Sequence, residues 1–302
     1  MTSGFINLHK PLGWTSHDCV AKIRGVLKLK KVGHGGTLDP LASGVLPVAL
    51  GRATRLLPFL PEDKTYRAVI RFGLTTTSDD LEGDVVTRQP VPHLQEAEAI
   101  APLSQFLGTI AQIPPRYSAI QVNGKRLYQL ARKGAAVEVP ARTVTIHQLT
   151  VESWQGGDFP ELTVTIRCSA GTYIRSIARD WGEQLGIGGT LAGLVRTVSG
   201  GFQLADSLPL EALISQPESV QAIAPTAALT HLPRLTLPEP TATRWRQGQK
   251  LMLPLTDLPP DTVAPYTVFD PSDQFLGITE PAPAAIVDHC RLVAKMVYAP
   301  MG

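Results

Sequence analysis

The chain has 302 residues, 43% of them hydrophobic, and a formal net charge of +2. That composition supports a sizeable core and room for two domains, and no apolar run reaches the roughly 18 residues that a membrane-spanning helix needs. The three cysteines (Cys19, Cys168, Cys290) lie far apart without metal-ligand spacing, so buried free thiols are expected rather than a zinc site or disulfide framework. The opening residues Met1 to Asn7 lack the basic-then-apolar order of a secretory signal, which predicts a cytoplasmic protein. The charges are segregated: residues 1–60 hold eight Lys/Arg against two Asp, and residues 116–142 hold six against Glu138 alone. Such segments can neutralise phosphates, although a solvated basic face has the same composition.

In chain order, Thr15-Ser16-His17-Asp18 has the spacing of a capping box. Val20, Ile23, Val26 and Leu27 then recur with helical period, Lys28, Lys30 and Lys31 suit a helix C-terminus, and Gly33 follows. The stretch Gly33-His34-Gly35-Gly36-Thr37-Leu38-Asp39-Pro40 cannot continue that helix, and Pro40 biases Asp39 towards extended backbone, so Asp39 is expected on a firmly shaped loop. Residues 65–72 alternate as a strand, with Tyr66, Ala68, Ile70 and Phe72 on one face. Residues 94–107 have helical character weakened by Pro102. Leu162, Val164, Ile166 and Cys168 mark another strand. Thr172 is placed to cap a following helix whose apolar face is Ile174, Ile177, Ala178, Trp181 and Leu185. Beyond about residue 228 prolines multiply and short β-like pieces appear at 266–270 and 291–298. This pattern predicts an α+β fold with a small β-rich second domain.

Singly, the candidate residues are ambiguous. Asp39 in a glycine loop is commonly a turn-former, and the glycines match neither a Walker A loop nor a dinucleotide fingerprint. An inward-facing Tyr66 is commonly core. Arg175 at a helix start opposes the macrodipole, which calls for an anion partner, whether functional or structural.

Jointly they are specific. The run from Gly33 through Asp39-Pro40-Leu41-Ala42-Ser43-Gly44-Val45-Leu46-Pro47 resembles the catalytic-aspartate motif of the TruB family of transfer RNA pseudouridine-55 synthases. Lys10-Pro11-Leu12-Gly13-Trp14-Thr15-Ser16 resembles that family's N-terminal basic motif, and Lys64-Thr65-Tyr66 through Gly73 its tyrosine-bearing strand, followed by Thr77-Ser78-Asp79 and Gly83. Gln112 to Ala119 with Gly124-Lys125-Arg126 and Tyr128 resembles the RNA-gripping insertion. Cys168 to Ser176 resembles the arginine motif, and Leu194-Val195-Arg196 follows it in order.

The resemblance implies a catalytic domain at 1–228, with a mixed, mainly antiparallel sheet, flanking helices and the insertion at about 116–142. It further implies a PUA-like RNA-binding pseudobarrel at 229–302. The implied reaction detaches the T-loop uracil (position 55) of tRNA from its ribose, turns it and rejoins it through C5, after the nucleotide is flipped out of its stack. Asp39 would be the essential carboxylate, Arg175 its partner, and Tyr66 the ring stacked on the base near C5. Tyr173 and Leu194 would wall the pocket, His34 would fill the space left by the flipped base, and Lys10, Lys125, Arg126 and Arg132 would bind RNA. No metal or other cofactor is expected. The expected partner is tRNA, gripped at the T-arm and touched at the acceptor end, by a monomer without membrane or guide RNA. The alternatives are a guide-dependent synthase resembling dyskerin, and a non-catalytic tRNA-binding or folding protein.

Overall fold

The computed structural model describes residues 3–118, 121–122, 125–126, 139–259, 265–284 and 286–298. Its main elements through residue 209 are β1 (Gly4–Lys10), α1 (Ser16–Val26), β2 (Ala42–Leu50), β3 (Lys64–Phe72), α2 (Glu96–Ile100), β4 (Gly108–Gln112), β5 (Arg142–Gln155), β6 (Glu161–Cys168), α3 (Ile174–Gln184), β7 (Gly189–Ser199) and β8 (Leu208–Pro209). The strands join in the order β8–β1–β2–β7–β3–β6–β5–β4. Pairs β1/β8 and β2/β7 are parallel and the remaining pairs antiparallel. The mixed, mainly antiparallel sheet is the α+β architecture expected from the sequence.

Period-two alternation explains which face carries the core. Tyr66, Ala68, Ile70 and Phe72 of β3 are buried together with Leu162, Val164, Ile166 and Cys168 of β6. Helix α3 closes over them with Ile174, Ile177, Ala178 and Trp181. Trp181 stacks on Phe106 with ring centroids 5.1 Å apart, and its indole N–H donates to the Ala99 carbonyl at 2.8 Å. That contact anchors α2, which stops at Ile100 and continues as a 3-10 helix, Ala101–Phe106, containing Pro102. Pro102 lacks the N–H that a continuing α-helix would use, so the helical character of 94–107 divides there.

Helix α3 can lie this close to β7 because Gly182 and Gly189 face each other. A Cβ on Gly182 would sit 2.0 Å from the Gly189 backbone nitrogen. Backbone on both sides leaves nothing to yield, so Gly182→Ala should cost at least about 1–3 kcal/mol. Urea denaturation would show this as a lower midpoint; an unchanged midpoint would mean that the helix rides freely on the strand.

Helix α1 begins as its spacing predicts, with Thr15 and Asp18 forming a reciprocal capping box. It ends sooner than the basic residues suggest. Leu27 is the C-cap and Lys28 adopts φ +52°, so Lys28, Lys30 and Lys31 follow the helix rather than complete it. Thr172 is also not the cap of α3. Tyr173 is, without a side-chain cap bond, while the Thr172 hydroxyl donates to the Ser169 carbonyl at 2.9 Å. The Gln112 carboxamide takes over locally, accepting from the Tyr173 N–H at 2.8 Å and donating to its carbonyl at 3.0 Å.

The C-terminal region forms a second sheet of five strands among the described residues: Arg234–Thr236, Leu251–Pro254, Tyr266–Phe269, Phe275–Pro283 and His289–Val297. It has its own core around Trp245 and Tyr266. Its Ile278 and Met296 share a second apolar cluster with Phe5, Val45 and Leu56. Arg52 and Arg55, on the 3-10 helix Gly51–Phe59 that follows β2, donate to the carbonyls of Tyr298 and Val297 at 3.1 and 3.4 Å, tying the end of the last strand to that helix. The three cysteines are buried free thiols, and burial raises Cys19 and Cys168 to about 11. No helix among the described residues is long and apolar enough to cross a membrane.

Candidate active site

The glycine loop before β2 is fastened from three sides, and Asp39 stands at its end. The hydroxyl of Ser16, in the first turn of α1, accepts from the Leu38 N–H at 2.8 Å and donates to the Leu38 carbonyl at 3.1 Å. The Gly13 N–H reaches the Pro40 carbonyl at 2.9 Å, and Ala42 N–H closes a turn on the Asp39 carbonyl at 3.0 Å. On the sheet side Arg196 donates to the carbonyls of Gly36 and Thr37. The loop backbone is thereby held while the Asp39 side chain stays 42% exposed.

Arg175, the second residue of α3, meets that carboxylate at 2.7 Å. It is only 6% exposed and every direction around it is occupied. It lies 3.4 Å from Asp80 Oδ2 and donates to the carbonyls of Ser78 at 3.2 Å and Tyr117 at 3.0 Å. The anion partner that a cation at a helix start requires is therefore double, Asp39 and the buried Asp80. Asp80 is itself fixed by the Ser78 hydroxyl at 2.5 Å and the Glu82 N–H at 3.1 Å. A guanidinium with this many fixed acceptors cannot swing, so Asp39 is presented in one orientation.

These groups border a cavity of about 800 Å³, lined also by Lys64, Tyr66, Tyr173 and Leu194. The volume lies within the range typical of small-molecule sites, roughly 300–1,000 Å³. Tyr66 is buried, and burial raises its phenol above the usual value while the positive charge of Arg196 across from it opposes that shift. Burial likewise raises Tyr173 and lowers Lys64. At the rim Glu82 is raised, first by burial and then by Asp80 and Asp39. The cavity thus offers the half-exposed Asp39 carboxylate with Asp80, Glu82 and Asp84 also on its lining, aromatic and aliphatic walls, and the rigid Arg175 guanidinium together with Lys64. Among the described residues no group of three or more His, Cys, Asp or Glu side chains is placed to hold a metal ion.

The structure brings Asp39, Tyr66, Arg175, Tyr173 and Leu194 around one cavity. Lys10, expected to bind RNA, does not line the cavity, although its charge lies near enough to act on Asp39. It is fully buried, and its ammonium donates to the carbonyls of Pro11 at 2.8 Å and Trp14 at 2.6 Å. With its charge turned inward it braces the 11–14 turn and offers no surface to a phosphate. His34 is half-buried on the short strand Val32–His34 and does not border the cavity; burial lowers its pKa. Arg132 lies outside the described residues, and of Lys125 and Arg126 only the backbone is described, as a two-residue strand.

Asp80 and Arg196 escaped the reading of individual residues. Asp80 belongs to the run Asp79-Asp80-Leu81-Glu82-Gly83-Asp84, whose composition suggests an exposed acidic turn. Its burial was foreshadowed only by the need of Arg175 for an anion. Arg196 stands where a strand of alternating pattern would place a core residue.

Comparison with known proteins gives a consistent result. Residues 24–174 match the model of the TruB family pseudouridylate synthase N-terminal domain, and residues 233–293 match the model for the C-terminal part of pseudouridine synthase II TruB. The chain is 53% identical over 302 residues to tRNA pseudouridine synthase B of Trichormus variabilis, covering 99% of both chains. It is 56% identical over 259 residues to that of a Synechocystis strain, covering 85% of this chain and 87% of the relative. Among solved structures, a Cbf5-Nop10-Gar1 complex aligns at TM-score 0.72 and 27% identity, covering 98% of this chain and 85% of the other. An H/ACA RNP bound to a substrate RNA containing 2'-deoxyuridine aligns at TM-score 0.71 and 26% identity, covering 98% and 85%. Ordered motifs, a shared fold and near-complete coverage at this identity agree: the chain belongs to the TruB family of pseudouridylate synthases.

Proposed function

We propose that this chain converts uridine 55 in the T-loop of tRNA to pseudouridine, acting alone and with Asp39 as the reacting carboxylate. The observation that carries the reading is the 2.7 Å pair of Asp39 and Arg175 at the edge of a cavity bordered by Tyr66, Tyr173 and Leu194.

The reaction breaks the C1′–N1 bond, turns the uracil, and forms a C1′–C5 bond; C5 then gives up its proton and N1 gains one. Whether the carboxylate adds to the base, adds to the sugar or starts an elimination, it must stand ionised within reach of the nucleoside. Arg175 fixes the direction of that oxygen. The detached uracil must be kept and water kept out, or the product would be an abasic nucleotide; aromatic and aliphatic walls serve that purpose. A stacked T-loop uridine reaches the cavity only after flipping outward. Tyr66 then lies against the base near C5, and His34 supports the RNA at the site the base has left.

The basic segment 116–142, including Lys125, Arg126 and Arg132, grips the T-arm through phosphates and shape. The domain division falls near residue 228, with the C-terminal sheet directed to the acceptor end. The working unit is a cytoplasmic monomer that needs no guide RNA. Identity of 53% to a relative named tRNA pseudouridine synthase B, against 27% to a chain in a Cbf5 complex, supports the standalone reading.

The test is an unmodified tRNA transcript labelled with tritium at uridine C5, incubated with the purified chain alone. One tritium per tRNA should be released, from the T-loop. Release only after adding guide RNA and partner proteins would favour the guide-dependent alternative. Tight binding with no release from any uridine would favour an RNA-folding role.

A further inference from the structure

Arg196 of β7 is fully buried, yet among the described residues no carboxylate is paired with it. An isolated cation in a protein interior is costly unless its donors find acceptors. Here three of its five N–H donors are used, on carbonyls of the active-site loop and of β2. Nε donates to the Val45 carbonyl at 2.8 Å, Nη2 to Gly36 at 3.1 Å and Nη1 to Thr37 at 3.4 Å. Tyr66, directly across on β3, faces the same guanidinium, which opposes the burial-driven rise of its phenol.

Backbone register explains why these partners meet. Arg196 lies directly across from Tyr66 on β3 and from Gly44 on β2. The β3 pairing shifts register between Arg196 and Val198, so the ladder is irregular at this position. Gly44, at φ +105°, makes room: a Cβ there would stand 2.3 Å from the Arg196 carbonyl oxygen. The niche is thus built into three adjacent strands.

We propose that Arg196 is a positioning residue that locks the Tyr66 phenol oxygen and the loop carrying Asp39 into a single geometry. A guanidinium only donates and a phenol oxygen can accept, so the two groups are matched across the strand pair, with the hydroxyl hydrogen free to point elsewhere. The aromatic wall, on β3, and the carboxylate, on the loop before β2, are then held by one side chain. This inference rests on the isomerase reading for its catalytic consequence, but the mechanical coupling can be tested apart from turnover.

The closing experiment has two arms. In the first, single-turnover rates and tRNA affinity are measured for wild type, Arg196→Lys, Tyr66→Phe and the double variant. Lysine keeps the charge but cannot span three carbonyls and a phenol, so Arg196→Lys should lose about 100-fold in rate with tRNA affinity held within about twofold. In the Tyr66→Phe background the same change should cost much less, because the phenol link is already gone. Equal losses in both backgrounds, or loss of affinity alone, would overturn the proposal. In the second arm, which requires neither activity nor an Arg196 variant, amide hydrogen exchange is followed at Thr37, Leu38 and Asp39. Tyr66→Phe keeps the ring and its packing, and exchange there should rise several-fold over wild type. Unchanged exchange would overturn the coupling even if the enzyme is active, and an inactive wild type with accelerated exchange would sink the isomerase reading while sparing the coupling.

Discussion

Asp39→Asn is expected to abolish pseudouridine formation while leaving tRNA binding close to wild type. The amide fills the same volume as the carboxylate but carries no charge and is a poor nucleophile. Every route from uridine to its C-glycoside isomer draws on an anionic oxygen at this point, so the single-turnover rate should fall by at least about 10⁴-fold. The fold should tolerate the change. The Ser16, Gly13 and Ala42 contacts that shape the loop involve backbone atoms, and Arg175 retains Asp80 and two carbonyls. Because the Asp39 side chain is 42% exposed, its pair with Arg175 is screened, and the stability change should stay below about 1 kcal/mol. Tritium release and filter-binding affinity, measured side by side, separate the two quantities. A variant that still turns over within tenfold of wild type would remove the carboxylate from the chemistry.

Arg175→Met should damage both rate and stability, which distinguishes it from Asp39→Asn. The side chain is 6% exposed and Asp80 opposite it 4% exposed, so methionine leaves a buried carboxylate without its cation. Stranding one member of a buried pair typically costs about 3–5 kcal/mol. The rate should fall about 10²-fold or more, because Asp39 would then lack the group that aims it. Arg175→Lys should lie between, since an ammonium keeps the charge but cannot serve two carboxylates and two carbonyls together. Urea denaturation and single-turnover release check the two effects. Wild-type stability in Arg175→Met would show that the buried network contributes little to the fold.

The local elements were legible in the sequence because their causes are local. Thr15 and Asp18 form the capping box that their spacing implies, and the alternation through Tyr66 to Phe72 is the buried face of β3. The apolar face of α3 and the glycine loop carrying Asp39 follow from period and backbone freedom in the same way. Family motifs in a fixed order then linked these pieces to an activity, which no single residue could do.

Only the tertiary structure decided how the charges pair, since sequence spacing says nothing about partners brought together across strands. Lys10 looked like a phosphate contact until its ammonium was found turned onto the carbonyls of Pro11 and Trp14. Asp80 looked like part of a solvated turn, yet it faces Arg175 from almost a hundred residues away in the chain. Arg196 acquires its meaning from β7 lying between β2 and β3, a neighbourhood set by long-range strand pairing. A buried charge is stable only where enough fixed acceptors converge on it, and convergence of that kind is a property of the assembled sheet.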